Sequence, residues 1–488
     1  MKILDIISNN EYLYSGVDPE AEFDSITTDI NEVSDKSVLI ISNSAKIDVD
    51  LKLKAKPCAI ICDTPDILKD EDAKIIVVNA RYALAHALCR YYKIDFSKFT
   101  TIGITGTNGK TSTATMIKQI LTKSGQKTGF IGTGVIEIGE EVITPEEYSM
   151  TTPDPTLLYK AIKKMEEEGC TAIIMEVSSH ALALDKVAAI PFDYGIFTNL
   201  EEDHLDFHGS KESYFEAKLK LFNLCKTAVF NIDDAYARRA LGLSRTERTI
   251  CVGALWRGDV YATNVENHGL DGISYMYHGN NFIFKMNLKL NGIYNTYNSM
   301  LASAVCIDLK CKPCEVKRIL GNIEYIPGRY EIIRDEVTVI IDYAHTESAF
   351  EAVLKDVKDN TLDNELTVIF GCGGQRDRKK RPQMAKIAEK YADNIIVTSD
   401  NSRNEPTESI FKDIIKGFSK EHLTIKNRTE AINYAISYAK CGEIILLVGK
   451  GCEKYYIDSL GYHNYSEKDI VNAALTERRL KKQYANKA

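Results

Sequence analysis

The 488-residue sequence has no run of about 18 apolar residues, the length that a membrane-spanning helix needs. Its beginning, MKILDIISNNEYLYSG, turns polar too early for a signal peptide, so we expect a cytoplasmic protein without a membrane partner. It also lacks an excess of positive charge: 61 Lys and Arg against 69 Asp and Glu leave a net charge of −8. This balance argues against a nucleic-acid partner. Internal repeats and low-complexity segments are absent as well.

The 12 cysteines are scattered, often inside apolar runs such as AIICD and SAVCIDL. That distribution is typical of reduced, buried thiols in a cytosolic protein. The single CxxC, Cys311 to Cys314, has no second ligand pair and no thioredoxin-like context. We therefore interpret it as the turn that begins a helix.

The length predicts about three domains, at roughly 150 residues each. Residues 1–98 contain short apolar runs and one helical segment, ARYALAHALCRYY, which indicates a small α/β domain. Residues 99–328 alternate apolar strands with helices, as in a parallel sheet flanked by helices. The Pro-Gly pair at 327–328 breaks the pattern, which restarts over 329–488 as a second open, Rossmann-like α/β sheet.

The stretch GITGTNGKTSTATMIKQIL, from Gly103, predicts a strand, a glycine-rich turn and a helix. Such a turn directs backbone N–H groups and a helix N-terminus at phosphate. Lys110 would contact the β- and γ-phosphates, and Thr111 offers a hydroxyl to Mg²⁺. The first glycine lies one position early for the common motif, yet the context favours a P-loop ATPase-like domain. The predicted ATP contacts here are Gly106, Thr107, Asn108, Gly109, Lys110, Thr111 and Ser112.

Two polar clusters follow apolar strands of the same domain. In MEVSSHALALDK, Glu176 ends a strand and is placed to hold a nucleotide's Mg²⁺, although Ser178 also suits a helix cap. In FTNLEEDHLDFHGSKESYFEAKLKLF, four neighbouring side chains suit divalent metal as well as they suit structural roles: Asp203, His204, Asp206 and His208. On pattern alone, Lys218 is a surface lysine of the helix that begins near Lys211.

These motifs, with others in the same order, resemble the Mur ligase family, specifically its MurE-type ligases. The resemblance spans about 103–456 and rests on GITGTNGKTST, TTPDP, EVSSHAL, FTNLEEDHLDFHGS, GIYNTYNSMLASA, PGRYE, DYAHT, FGCGGQRDRKKRP, TSDNSRNEP and GKGCEKY. It implies that ATP phosphorylates a carboxylate, that an amine attacks the acyl phosphate, and that an amide, ADP and phosphate result. The implied cofactors are ATP and Mg²⁺, the partners are small-molecule substrates, and a monomer is expected.

The resemblance also implies roles for individual residues. The catalytic and metal set is Lys110, Thr111, Glu176, His204 and a carbamylated Lys218. Further ATP contacts are Asn295, Arg329, Asp342 and His345. The UDP-sugar peptide would meet Thr151, Thr152, Ser178 and Lys186, the last replacing a usual arginine. The incoming amino acid would meet Arg376, Asp400, Asn401, Arg403, Gly449 and Glu453.

Arg403 resembles the branch that adds meso-diaminopimelate to UDP-N-acetylmuramoyl-L-alanyl-D-glutamate, since its guanidinium suits a far carboxylate. Several positions depart from the family: Ser402 replaces a proline, and in the first domain Asp29-Ile30-Asn31 stands where Asp-Ser-Arg is usual. A divergent ligase with another carboxylate acceptor therefore stays an alternative. A non-catalytic nucleotide-binding protein is a third reading, opposed by the joint retention of the ATP and metal residues.

Overall fold

Three β-sheets with flanking helices follow one another along the chain in the computed structural model. It describes residues 1–7, 12–42, 53–64, 66, 73–145, 148–279, 281–361 and 364–485, and of 12–15 and 485 the backbone alone. The predicted α/β class is confirmed. The sheets fall within the ranges predicted for the three domains, and the residues of those ranges that are missing from this list lie outside the described part. No helix in that part is both long and apolar enough to cross a bilayer.

The first sheet has the order β1-β5-β4-β3-β2, with β1 antiparallel and the others parallel. Its centre is apolar, since every residue of β3 and β4 is buried. The predicted helix is confirmed as α2, which begins after Asn79, whose side chain accepts from two backbone N–H groups. The elements are α1 Ile3–Ile7, β1 Tyr12–Ser15, β2 Ser25–Thr27, β3 Ser37–Ile41, β4 Ala59–Cys62, β5 Lys74–Val77 and α2 Ala80–Tyr91.

The central sheet has eleven strands in the order β16-β15-β14-β13-β12-β11-β6-β10-β7-β8-β9. The elements are β6 Thr100–Thr105, α3 Lys110–Lys123, β7 Thr128–Gly132, β8 Val135–Ile138, β9 Glu141–Val142, α4 Pro155–Glu167, β10 Ala172–Glu176, α5 Ser179–Ala183, β11 Phe192–Phe197, α6 Leu205–His208, α7 Lys211–Leu219, β12 Cys225–Asn231, α8 Ala235–Leu243, β13 Arg248–Gly253, β14 Val260–Asn267, β15 Ile273–His278, β16 Ile283–Leu288, α9 Tyr294–Asp308 and α10 Pro313–Gly321.

The predicted parallel core of this sheet is confirmed, because β10, β6, β11, β12 and β13 pair in parallel. The parallel part also includes β7 and β14, and the antiparallel additions beyond them, β8–β9 at one end and β15–β16 at the other, were not predicted. Glu176 pairs with Ile104 and Phe197 pairs with Thr105, so three functional loops leave the same edge of the sheet. Ligands of open α/β sheets bind at this edge.

The third sheet has the order β17-β18-β22-β19-β20-β21 and is parallel except for β17. A short hairpin of two further strands, β23 and β24, follows it. The elements are β17 Glu331–Arg334, β18 Thr338–Asp342, α11 Glu347–Asn360, β19 Leu366–Phe370, α12 Lys380–Tyr391, β20 Asn394–Val397, α13 Thr407–Ile415, β21 Leu423–Thr424, α14 Arg428–Tyr438, β22 Ile444–Val448, β23 Tyr455–Asp458, β24 Gly461–Asn464 and α15 Glu467–Ala485.

The CxxC segment forms a helix start, as predicted. Pro313 is at the first turn of α10, where its missing N–H costs nothing. Cys311 is buried and Cys314 is exposed, and both are free thiols.

A buried ion network joins α12 to the segment before α13. Arg381 is fully buried and donates to both oxygens of Glu405, each at 2.7 Å, and to Asp413 at 3.1 Å. Arg378 also contacts Asp413 at 2.8 Å, but 62% of its side chain is exposed. The two arginines thus share a carboxylate in very different surroundings.

We expect Arg381→Met to destabilise the C-terminal domain by about 3 kcal/mol, because it leaves two carboxylates without their buried cation. Arg378→Met is the matched control and should cost less than about 1 kcal/mol, since exposed ion pairs contribute little. Urea unfolding followed by circular dichroism measures both. Equal losses for the two variants would contradict this account.

Candidate active site

A cavity of about 920 Å³ lies between the central and C-terminal domains. It is lined by all of the predicted site residues except four. Gly106, His208, Lys218 and Asn295 are not among the lining residues. The loops after β6, β10 and β11 form one wall, and the loops after β18, β19, β20 and β22 form the other.

The turn between β6 and α3 depends on two glycines with positive φ. Gly106 has φ +147°, and a Cβ there would lie 1.8 Å from the hydroxyl of Thr198. Gly109, at φ +84°, immediately precedes α3. The Lys110 ammonium donates to the carbonyl oxygens of Gly106 and Thr107 at 2.9 and 2.8 Å. The lysine is thereby held over its own loop, where a phosphate would bind.

Lys218 is buried rather than on the surface, so the reading from pattern alone was wrong. Only 1% of it is exposed, and its ammonium donates to the Gly106 carbonyl oxygen at 2.8 Å. Its nitrogen also lies 4.5 Å from the ring centre of Tyr214. Burial and the neighbouring charge of Lys110 hold the pKa of Lys218 well below its usual range. Among the described residues, no carboxylate lies within ion-pair distance of it.

The fully buried carboxylate of Glu176 is the acidic centre of the site. It accepts from the Thr111 hydroxyl at 2.9 Å and from the backbone and hydroxyl of Thr133 at 3.1 and 3.3 Å. Arg329, from the C-terminal domain, donates to the same Thr111 hydroxyl at 2.9 Å. Its guanidinium stacks on Tyr343 at 4.1 Å, and its Nε is buried without a partner.

Asp203 lies between two histidines from different domains. Its carboxylate is 3.4 Å from Nε2 of His204 and 3.7 Å from Nε2 of His345. Burial opposes ionisation of Asp203, yet the nearby charge of His345 holds the pKa of that carboxyl well below its usual range. Burial lowers the pKa of His204 to about 3, although Asp203 opposes this shift. His204 is therefore a neutral imidazole, the form that ligates metal.

The four neighbouring residues Asp203, His204, Asp206 and His208, which suit metal and structural roles equally by sequence, do not converge on one point. His208 contacts the Ser179 hydroxyl at 3.0 Å, and Asp206 lies 3.8 Å from Arg376. In the described part of the chain, no group of three or more His, Cys, Asp or Glu side chains is arranged to hold a metal ion. The left-handed backbone of His204, at φ +53°, turns the chain between these side chains.

Asn295 serves a framework role in α9 rather than lining the cavity. Its amide donates to the Asn291 carbonyl at 2.6 Å, and its oxygen accepts from Asn298 at 2.9 Å. Asn298, one turn later, does line the cavity and packs under Gly109. Sequence reasoning missed Asn298, although the three-residue spacing of the two asparagines placed both on one helix face.

The predicted contacts for the UDP-sugar peptide lie together at the end of β10. The Thr152 hydroxyl donates to the Glu176 carbonyl at 2.9 Å and accepts from the Ser178 backbone at 3.0 Å. Ser178 in turn caps α5. The Thr151 hydroxyl lies 3.1 Å from that of Thr133. Lys186 contacts Asp154 at 2.6 Å.

The predicted amino-acid contacts surround the other end of the cavity. Arg403, at φ +51°, donates to the carbonyl oxygens of Gly374 and Asn401 at 3.0 and 3.2 Å. The amide of Asn401 donates to Glu453 at 2.9 Å. Gly449 has φ +115°, and a Cβ there would lie 3.1 Å from Asp400. Fixed cations and carboxylates therefore face one space, which suits a zwitterion.

In the first domain, the segment that departs from the family forms hydrogen bonds within itself. The Asp29 side chain accepts from the backbone and the amide of Asn31, at 2.8 and 3.0 Å. Ile30 offers no hydrogen-bonding side chain. This turn thus shows no free polar group in the place of the usual serine.

Ser348, near the start of α11, makes a contact between domains. Its hydroxyl donates to the Glu201 carboxylate, which also accepts from the Asn108 amide at 2.8 Å. A carboxylate at 348 would repel Glu201, whereas a hydroxyl bonds to it. Sequence reasoning missed Glu201, which lies beside the acidic residues that it did select.

A phosphate-binding loop that shares one cleft with a mixed-charge amino-acid end defines an ATP-dependent ligase, an enzyme that joins an acid to an amine. The family model of the Mur ligase middle domain matches residues 104–306, and that of the Mur ligase glutamate ligase domain matches residues 328–451. The chain belongs to the Mur ligase family, whose members are ATP-dependent ligases that form carbon–nitrogen bonds.

Known proteins similar to this chain cover nearly its whole length. UDP-N-acetylmuramoyl-L-alanyl-D-glutamate--2,6-diaminopimelate ligase 1 of Clostridium acetobutylicum is 35% identical, over 98% of this chain and 100% of its own. The ligase so named from Clostridium tetani is 38% identical over 83% of each chain. A solved structure of a ligase of that name is 27% identical, with a TM-score of 0.69 over 98% of this chain and 99% of its own.

We expect Gly106→Ala to lower kcat/KM for ATP by roughly 100-fold, because the new methyl group would displace the loop that cradles phosphate. Gly242→Ala, where a Cβ meets nothing within 4 Å, is the control and should leave turnover unchanged. Phosphate release measures both variants, and near-ultraviolet circular dichroism verifies the fold. Wild-type kinetics in Gly106→Ala would show that the loop tolerates this displacement.

Proposed function

We propose that this protein adds 2,6-diaminopimelate to UDP-N-acetylmuramoyl-L-alanyl-D-glutamate, using ATP and Mg²⁺, in the cytoplasmic synthesis of a peptidoglycan precursor. The observation that carries the proposal is one cavity with Lys110 and Glu176 at one end and Arg403 and Glu453 at the other. The names of the nearly full-length relatives support the choice of substrates.

The residues at the phosphate end suit Mg²⁺. The Thr111 hydroxyl and the Glu176 carboxylate are oxygen donors 2.9 Å apart, and Mg²⁺ prefers oxygen ligands. Thr111, Glu176 and His204 would hold the metal, together with Lys218 once carbamylated. When bound, Mg²⁺ offsets the negative charge of the phosphates and of the carboxylate that approaches them.

Carbamylation of Lys218 is consistent with its surroundings. Carbon dioxide adds to a neutral amine to give a carbamate and a proton, and the lowered pKa of Lys218 favours the neutral amine. The product would place an anion beside Lys110. The carbamate and the Lys110 ammonium would then attract each other.

In the first step, an oxygen of the substrate carboxylate attacks the γ-phosphorus, and ADP leaves. Lys110, the loop N–H groups and Arg329 stabilise the charge that develops during transfer. In the second step, the neutral amine of the amino acid attacks the acyl carbon. The tetrahedral intermediate then expels phosphate and yields the amide.

A second candidate keeps this chemistry but uses another carboxylate acceptor. The self-bonded turn at Asp29 and Asn31 favours it, since Ile30 offers no hydroxyl to a uridine nucleotide. The acceptor is therefore the first thing to test.

We expect phosphate release from ATP and Mg²⁺ with UDP-N-acetylmuramoyl-L-alanyl-D-glutamate and meso-diaminopimelate, but not with L-lysine or without amino acid. Arg403→Met should raise KM for diaminopimelate about tenfold or more and leave KM for ATP unchanged, because the guanidinium binds the far carboxylate. Release with L-lysine would remove that role from Arg403. No release with either amino acid would favour the second candidate.

Lys110→Ala should abolish turnover with every acceptor, because charge stabilisation worth several kcal/mol is lost from the transferring phosphoryl group. Lys123→Ala, at the far end of α3, is the control and should keep wild-type turnover. Single-turnover phosphate release separates the chemical step from binding. A rate in Lys110→Ala equal to wild type would mean that the loop does not perform the transfer.

A further inference from the structure

Lys450 is a fully buried cation in the loop after β22. Its ammonium donates to Asn401 Oδ1 at 2.7 Å and to Glu453 Oε2 at 2.8 Å, and lies 3.7 Å from Asp400 Oδ1. Burying an ammonium is expensive unless it is paired and hydrogen-bonded. Lys450 satisfies both conditions through residues predicted to bind the amino acid.

Lys450 does not itself line the active-site cavity. The rings of Tyr455 and Tyr465 lie 5.5 and 5.7 Å from its nitrogen, on further sides of the ammonium. Because its ammonium is bonded to Asn401 and Glu453, it is placed to act on these side chains rather than on a ligand of the active-site cavity.

The contacts of Lys450 decide which atoms stay free for a ligand. Glu453 Oε2 accepts hydrogen bonds from the Lys450 ammonium and from the Asn401 amide. Oε1 has only a 3.4 Å contact with the Tyr343 hydroxyl. Asn401 Oδ1 accepts hydrogen bonds from the Lys450 ammonium and, at 2.9 Å, from the Ile457 N–H. One carboxylate oxygen of Glu453 is thus left with acceptor capacity.

We propose that Lys450 is a positioning residue for the incoming amino acid, fixing Glu453 and Asn401 so that the free Glu453 oxygen receives the ammonium at the far end of a diamino acid. This inference rests on the proposed function. The charges support it, because one lysine between Asp400 and Glu453 leaves a single net negative charge opposite Arg403. A far ammonium and a far carboxylate then each meet an opposite charge.

Lys450→Met tests the idea, since methionine retains the length of the chain and removes the cation. Asp400 and Glu453 would then lie close together in a buried setting, and Asn401 would lose a donor. Glu453 would no longer be held in one orientation. We expect the enzyme to lose its ability to recognise the far amine.

The experiment compares kcat/KM for 2,6-diaminopimelate with kcat/KM for 2-aminoheptanedioate, which lacks the far amine. The wild-type enzyme should prefer the diamino acid by about tenfold or more, because the analogue leaves a buried carboxylate unpaired. In Lys450→Met the preference should fall to within about twofold, while KM for ATP stays within about twofold of wild type. A purely structural role would change both KM values together.

Lys454→Met is the matched control, because Lys454 is an exposed lysine in the same loop and should leave the preference unchanged. Thermal melting and binding of an ATP analogue verify that each variant is folded. If Lys450→Met does not fold, Lys450→Gln is judged by the same criterion. A preference retained in either folded variant overturns the inference. A wild-type enzyme that ignores diaminopimelate overturns the proposed function instead.

Discussion

A triphosphate and a carboxylate must meet in this cavity, and fixed positive charge is what allows two anions to approach. Lys110 supplies it and is held by the Gly106 carbonyl oxygen, which the nitrogen of Lys218 also contacts. Charges held in a site that excludes water act more strongly than charges in solvent. The glycine matters because its backbone must present that oxygen where no side chain fits. The rest of the site is arranged around this point.

Side chains of the C-terminal domain contact the loops of the central domain and so complete the wall of the site. Arg329 reaches Thr111, and Ser348 reaches the Glu201 carboxylate that holds the loop residue Asn108. These contacts exist only when the two domains are together. An acyl phosphate is destroyed by water, so an enzyme of this class gains from assembling its site at the moment when the cleft closes. The same contacts that stabilise charge therefore also exclude solvent.

Local patterns predicted much of this molecule. Strand β6, its loop and α3 follow from residues adjacent in the chain, and so do the strand end at Glu176 and the helix start at Pro313. Tertiary packing determines which way individual side chains face, and the sequence could not show this. The pattern of α7 could not show that Lys218 faces inward, because only the P-loop beside it gives the ammonium a partner. Four close ligand types likewise left a metal site and structural roles equally open, and the left-handed turn at His204 lies among them.

Near Arg403, the structure shows how contacts with a neighbouring hairpin accommodate the substitution of a proline by Ser402. Ser402 stands in place of a proline that would fix the turn before Arg403. Here the hairpin holds the turn instead: the Arg403 N–H donates to the Ile457 carbonyl at 3.0 Å, and the Ile457 N–H donates to Asn401. The hairpin also reaches the central domain, where the Tyr462 hydroxyl lies 3.0 Å from that of Ser149. The loop proposed to recognise the amino acid is thus positioned relative to the residues proposed to bind the peptide, so these hydrogen bonds fix the turn that a proline ring would otherwise fix.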